Sequence, residues 1–133
     1  MPSDRTVPIR VDRDIVAARQ DGRAIALDLG FSLGDATVVS AAISEIARNI
    51  LDYTPGGEIA LRVVERSGRR GIEIVGRDSG PGIGDVQQAL EDGYSTSGSL
   101  GLGLPGARRL MDEFEIESEL GKGTTVMMRK WAR

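Results

Sequence analysis

The stretch Asp78-Ser-Gly-Pro-Gly-Ile83, followed after a short gap by Gly98-Ser-Leu-Gly-Leu-Gly-Leu104, decides how this chain is read. Apolar residues alternate with the glycines, which sets the region apart from low-complexity disorder. Immediately upstream, Ile72, Ile74 and Gly76 alternate with Glu73, Val75 and Arg77, the period of a strand. Counting by twos puts Asp78 on the face of Ile72 and Ile74, the face that helices are expected to cover. A carboxylate aimed into a core layer needs hydrogen-bond donors, from the protein or from a ligand that presents an amino group. Gly80 and Gly82 remove side chains where such a ligand would lie. Gly98-x-x-Gly101-x-Gly103 leads into a helix whose first amides lack partners and whose dipole favours negative charge, a setting suited to phosphate.

Working outward, Ile59, Leu61 and Val63 alternate with Glu58, Ala60 and Arg62, so the chain forms a hairpin through Ser67-Gly-Arg-Arg-Gly71. Val7, Ile9 and Val11 predict a short strand, at a sheet edge because Pro8 has no amide to donate. Ile15, Ala18, Gly22, Ile25 and Leu29 recur at helical spacing from Asp14 onward, with Asp12 or Asp14 as the cap and Gly30 as the stop. A second helix opens at Gly34-Asp35 and ends near Tyr53, its apolar stripe being Ala36, Val39, Ile43, Ile46, Ala47 and Ile50. Glu45 and Asn49 stand one turn apart, away from that stripe, on a face expected to be solvated unless another body approaches over the small Ala41 and Ala42.

Downstream, Asp85 to Asp92 predicts a short helix, with Val86 and Leu90 one turn apart. Leu102 to Asp112 predicts a third main helix, with Leu104, Ala107, Leu110 and Met111 inward and Arg108 and Arg109 outward. Phe114 to Ser118 alternates as a strand, Gly121-Lys-Gly turns the chain, and Thr125, Met127, Arg129 and Trp131 alternate in a last strand. Lys122, Thr124 and Thr125 form a second candidate anion patch, beside the simpler reading of Gly-Lys-Gly as a hairpin turn. The expected architecture is α+β: one domain over residues 1–133, a two-layer sandwich whose mostly antiparallel sheet is covered on one face by helices.

Composition narrows the function classes. The chain has 133 residues, 40% hydrophobic and 28% charged, with a net charge of -3 that gives no reason to expect nucleic acid as a partner. No apolar run approaches the ~20 residues of a membrane span, and the polar start lacks the apolar core of a secretory signal, so a cytoplasmic location is expected. With no cysteine and no histidine, disulfides, thiol catalysis, histidine bases and the usual zinc ligands are excluded. Any metal must be held by oxygen.

Taken together, Glu45-x-x-x-Asn49, Asp78-x-Gly80-x-Gly82, Gly98-x-x-Gly101-x-Gly103 and Gly123-Thr-Thr resemble, in order and spacing, the four ATP-site boxes of the GHKL superfamily. These are the ATP-binding domains of gyrase, Hsp90-type chaperones, histidine kinases and MutL, with the Bergerat fold. Within it, Ile43-Ser-Glu-Ile-Ala-Arg-Asn-Ile50, Glu91-Asp-Gly-Tyr-Ser-Thr-Ser-Gly98 and Gly103-Leu-Pro-Gly-Ala-Arg-Arg-Leu-Met-Asp-Glu-Phe114 resemble the small anti-sigma-factor serine kinases, above all the stressosome switch kinases.

The resemblance implies an ATP site formed by Asn49, Asp78, Gly80, Gly82, Ile83, Ser97, Gly98, Gly101, Leu102, Gly103, Leu104 and Thr124. Within it Asp78 accepts from the adenine amino group, Gly82 allows close approach of the base, and Gly101 and Gly103 cradle phosphates. Thr124 sits near the adenine edge, and Asn49 holds Mg²⁺, a hard cation that prefers oxygen. Glu45 is the implied general base for a hydroxyl attacking the γ-phosphoryl group. The implied substrate is a serine of a STAS-domain protein (RsbS-like), within a scaffold complex, the stressosome, and a PP2C-type phosphatase is a further implied partner. The lid, Tyr94 to Ser99, and the exposed start of the second helix are the expected docking surfaces. The segment from Gly82 to Gly98 is shorter than the lids of chaperones and gyrases, so no strand-passage or chaperone cycle is expected, and without histidine the phosphoacceptor of a sensor kinase is missing. A nucleotide-dependent binding module, with little or no catalysis, is the competing reading.

Overall fold

The computed structural model describes residues 4–78, 80, 103–119 and 121–132. Strand β1 (Arg5–Ile9) is followed by helices α1 (Asp12–Asp28) and α2 (Leu33–Tyr53), then by strands β2 (Gly57–Arg66) and β3 (Arg69–Asp78). Helix α3 (Gly103–Leu110), β4 (Glu113–Glu119) and β5 (Gly123–Trp131) complete the order. The strands form one sheet in the order β1-β2-β3-β5-β4, every neighbouring pair antiparallel. This is the expected α+β sandwich, and β1, with Pro8, is an edge strand as predicted.

Local chemistry sets the helix ends. The Asp14 carboxylate reaches back to accept from the amides of Arg10 (2.8 Å) and Val11 (3.0 Å), satisfying donors that the first turn leaves open. Those two hydrogen bonds hold the Asp14 carboxyl below its ordinary range. Val11 is consequently the helix cap, half-exposed, and not the third inward residue of β1 that the alternation predicted. Helix α1 closes in a Schellman turn, with Gly30 N–H donating to Leu27 O and Phe31 N–H to Ala26 O, both at 3.0 Å. Ser32 then caps α2, its Oγ accepting from Asp35 N–H at 3.0 Å.

The core lies between the helices and one sheet face. Ile15, Ile25, Val39, Ile43, Ile46 and Ile50 from the helices meet Ile9, Ile59, Leu61, Ile72, Ile74, Val126 and Met128 from the sheet. Each fully buried Ile or Leu contributes about 1.5–3 kcal/mol relative to an exposed one. Helix α2 is central: α1 packs along one flank, α3 along the other, and β3 runs beneath. Gly76 lets that helix approach, since a Cβ there would lie 2.6 Å from Ile46 Cγ2.

The opposite sheet face carries a charged row. Glu73 is 3% exposed and accepts from Arg62 Nε and, at 2.8 Å, from Arg129 Nε. Arg129 also donates to Glu113 (3.0 Å), which accepts further from Arg66 (2.8 Å) and the Trp131 indole (2.6 Å). The Arg66 guanidinium lies 4.8 Å from the Trp131 ring centroid, within cation–π range. Burial pushes the Glu73 carboxyl up, but the hydrogen bonds and charges of Arg62 and Arg129 outweigh it and hold it below the ordinary value. Alternation alone had placed Glu73 only as the outward neighbour of Ile72 and Ile74. Its arginine partners stand on the neighbouring strands, since Arg62 and Arg129 both pair with Glu73 in register.

Candidate nucleotide site

The end of the sheet beside the α2 C-terminus brings together Asp78, Gly80 and Thr124 of the expected site. Asp78 closes β3 on the helix-covered face, as the count by twos predicted, because Ile72, Ile74 and Gly76 on that parity are buried. It is half-buried, and its Oδ1 accepts from Gly80 N–H at 2.9 Å, an Asx turn that leaves the carboxylate's other oxygen for a further donor. Gly80 itself is buried.

Opposite Asp78, in register on β5, stands Thr124, 6% exposed. The resemblance had placed Thr124 beside Asp78, and cross-strand pairing brings their Cβ atoms to about 5 Å by ordinary sheet geometry. Ser118 on β4 pairs with Thr124 in turn, with 2.8 Å between their hydroxyl oxygens. Sequence reasoning missed Ser118. Its signal was the parity of Phe114, Ile116 and Ser118, which puts a hydroxyl on the inward face at the same end of the sheet.

Glu45 and Asn49 stand on the helix whose Ile46 packs over Gly76, two residues before Asp78, and one of them differs from expectation. Glu45 is 9% exposed and its Oε2 is enclosed, so the face it shares with Asn49 is not a solvated one. The flanking helix α3 widens the buried arc of α2 beyond the apolar stripe, and Ala42 is fully buried too, whereas Ala41 is exposed. Asn49, one turn on, is half-buried. Helix α2 ends at Thr54, whose hydroxyl donates to Ile50 O (2.8 Å) and accepts from Gly56 N–H (3.0 Å). A carboxylate held out of water inside a domain keeps a reduced cost of desolvation for proton transfer, the setting in which bases act.

Helix α3 begins at Gly103, with Leu104 and Ala107 buried against α2 and Arg108 and Arg109 exposed, as predicted. It is two residues shorter at its C-terminal end than the spacing suggested, because Asp112 turns to meet β5: its N–H donates to Arg129 O and its Oδ2 accepts from Trp131 N–H. The Lys130 ammonium, nearly buried, donates to Leu110 O at 3.2 Å and so places positive charge at the helix C-terminus. Gly82, Ile83, Ser97, Gly98, Gly101 and Leu102, the short helix over 85–92 and the lid lie outside the described residues. Lys122 is exposed on the turn and Thr125 half-buried on the opposite face from Thr124, so the structure does not bring the second anion patch together. Among the described residues, no group of three or more acidic residues forms a metal cluster, and no helix is long and apolar enough to cross a membrane.

Comparison with known proteins agrees with this geometry. Residues 34–132 match the family model described as histidine kinase-, DNA gyrase B-, and HSP90-like ATPase. The chain is 48% identical over 133 residues, all of both chains, to the serine/threonine-protein kinase RsbT of Bacillus subtilis. It is 30% identical over 119 residues to the anti-sigma F factor of Clostridium acetobutylicum, covering 85% of this chain and 82% of that one. Among solved structures, the mycobacterial sensor histidine kinase MprB shares the fold at a TM-score of 0.57 and 15% identity, over 97% of each chain. The chain belongs to the histidine kinase-, DNA gyrase B- and HSP90-like ATPase family and, within it, to the RsbT-like serine/threonine-protein kinases.

Proposed function

We propose that this chain is an ATP- and Mg²⁺-dependent kinase that phosphorylates a serine of a STAS-domain partner and acts as a cytoplasmic partner switch in stress signalling. The observation that carries the reading is the placement of Asp78 and Thr124, paired at one sheet end, beside the helix that bears Glu45 and Asn49. The full-length similarity to a serine/threonine-protein kinase supports transfer over binding alone.

In this reading Asp78 accepts from the adenine amino group, and Gly80 keeps the turn behind it free of a side chain. The N-terminus of α3, from Gly103, faces the phosphates with amides that have no intrahelical partner. Asn49 would supply an oxygen to Mg²⁺, a hard cation that prefers oxygen ligands. Mg²⁺ neutralises charge on the transferring phosphoryl group when bound. Glu45 accepts or orients the proton of the attacking serine hydroxyl, and its enclosure strengthens that interaction. The partner docks on the lid and on the exposed start of α2, where Leu33 is 66% exposed. A scaffold assembly of the stressosome kind and a PP2C-type phosphatase are the proposed wider partners.

The similarity to anti-sigma F factors favours a second reading, a nucleotide-dependent binding module with little catalysis. Incubation with Mg²⁺-ATP and a candidate STAS protein, followed by mass spectrometry for phosphoserine, separates the two. Transfer that disappears in Glu45→Ala supports the kinase. Nucleotide and partner binding with no transfer, unchanged by Glu45→Ala, overturns it in favour of the binding module.

A further inference from the structure

Lys130 is a cation at a position that the period of β5 reserves for an apolar side chain. Val126, Met128 and Lys130 share the parity that faces the helices; the first two are core residues, and Lys130 is only 8% exposed. Burying an ammonium is costly unless it is paired and hydrogen-bonded. Its partners lie at one place: Nζ donates to Leu110 O at 3.2 Å and stands 3.9 Å from Asp112 Oδ1.

Both partners belong to the joint between α3 and β4, and the neighbours of Lys130 grip the same joint. Asp112 N–H donates to Arg129 O at 3.0 Å, and Trp131 N–H donates to Asp112 Oδ2 at 2.9 Å. Consecutive residues of β5 thus hold the C-terminal end of α3, while Leu104 and Ala107 pack the rest of that helix along α2. The same strand carries Thr124 opposite Asp78, so β5 joins the proposed base end of the site to the joint. The amide end of α3, at Gly103, lies about 10 Å from Leu110 at the helical rise, and a tilt of about 10° at the joint would displace it by about 2 Å. That displacement is enough to break a hydrogen bond. The ammonium also satisfies one of the carbonyls that end the helix and opposes the negative end of its dipole.

We infer that Lys130 is a positioning residue for phosphate recognition: by fixing the C-terminal end of α3 to β5, it aims the Gly103 end at the nucleotide phosphates without touching them. This rests on the nucleotide reading above. Loss of the ammonium weakens ligands that carry phosphates and spares recognition of the base, which belongs to Asp78 at the sheet end.

The test is equilibrium titration of the full chain with ADP and with adenosine, followed by NMR so that weak adenosine binding is measured. In Lys130→Met, close in shape but uncharged, the ADP-to-adenosine affinity ratio is expected to fall by about tenfold, with adenosine affinity within about twofold of native. Lys130→Gln, which keeps a donor and loses the charge, is expected to lower the ratio in the same direction and serves if Lys130→Met does not fold. A merely structural role for Lys130 would weaken both ligands equally. That result, or an unchanged ratio in a folded variant, overturns the inference while the nucleotide site stands. Failure of the native protein to bind ADP would instead remove the nucleotide reading itself.

Discussion

Thr54, the residue that closes α2, lies against the backbone of Gly80, so that a Cβ at Gly80 would come within 2.7 Å of both Thr54 Cβ and Cγ2. The contact joins the helix that carries Glu45 and Asn49 to the turn that follows Asp78. The bond that Thr54 donates to Ile50 O and the one it accepts from Gly56 N–H hold its side chain in place, so it has little room to yield. Gly80→Ala should therefore push the Asp78 turn outward, lowering nucleotide affinity at least about tenfold and stability by about 1–3 kcal/mol. Titration calorimetry and urea unfolding measure the two effects; normal affinity with normal stability would show that the turn relaxes freely.

Asp78→Asn keeps an oxygen for Gly80 N–H and should leave the fold intact. It replaces one acceptor by a donor aimed at the adenine amino group. Loss of a hydrogen bond to a charged group costs about 1.5–3 kcal/mol, so ADP affinity should fall by about one to two orders of magnitude. Affinity within about twofold of the native value would place the base elsewhere.

Glu45→Gln retains size and one acceptor but cannot take a proton. The phosphoryl-transfer rate should drop by about 10²–10⁴, with ADP affinity nearly unchanged. Quench-flow transfer assays beside binding titrations distinguish this from a binding defect. A parallel loss of both would assign Glu45 to the ATP pocket and not to the transfer step.

The Glu73 row should give the fold a distinct acid response. Its carboxyl sits below the ordinary value of 4.5, despite burial, because Arg62 and Arg129 hydrogen-bond to the charged form. Glu113 is held down in the same way by the Trp131 indole, Arg66 and Arg129. A depressed carboxylate contributes stability that is fully present above its unfolded value and is lost as pH falls through the folded one. Thermal melts from pH 7 downward should thus be flat near neutrality and fall below about pH 4.5, with a shallower fall in Glu73→Gln and a lower melting temperature at pH 7. Identical pH profiles for the two proteins would deny Glu73 this role.

Much of the architecture was legible before folding, since it depends on periods within single segments. Alternation in β2 and β3, helical spacing in α1, α2 and α3, and the edge position that Pro8 imposes on β1 each act over a few residues, and the structure follows them. The inward direction of Asp78 belongs to the same class: a strand's period of two carries the parity of Ile72 and Ile74 forward to it.

Burial and pairing between distant segments belong to tertiary structure alone. Glu45 reads as a solvated helix residue because nothing in α2 announces that α3 will pack along its flank. Glu73 reads as an outward residue, yet it is enclosed because register brings Arg62 and Arg129 beside it from separate strands. Ser118 had no meaning until β4 set it against Thr124, and the period of β5 alone does not place Thr124 opposite Asp78, which the resemblance implied and the pairing of β5 with β3 brings about. Short-range sterics and hydrophobic period set the elements and the glycine-framed carboxylate. Sheet order and helix packing decided which polar groups leave water together, because desolvation and hydrogen bonding act between neighbours in space wherever they lie along the chain.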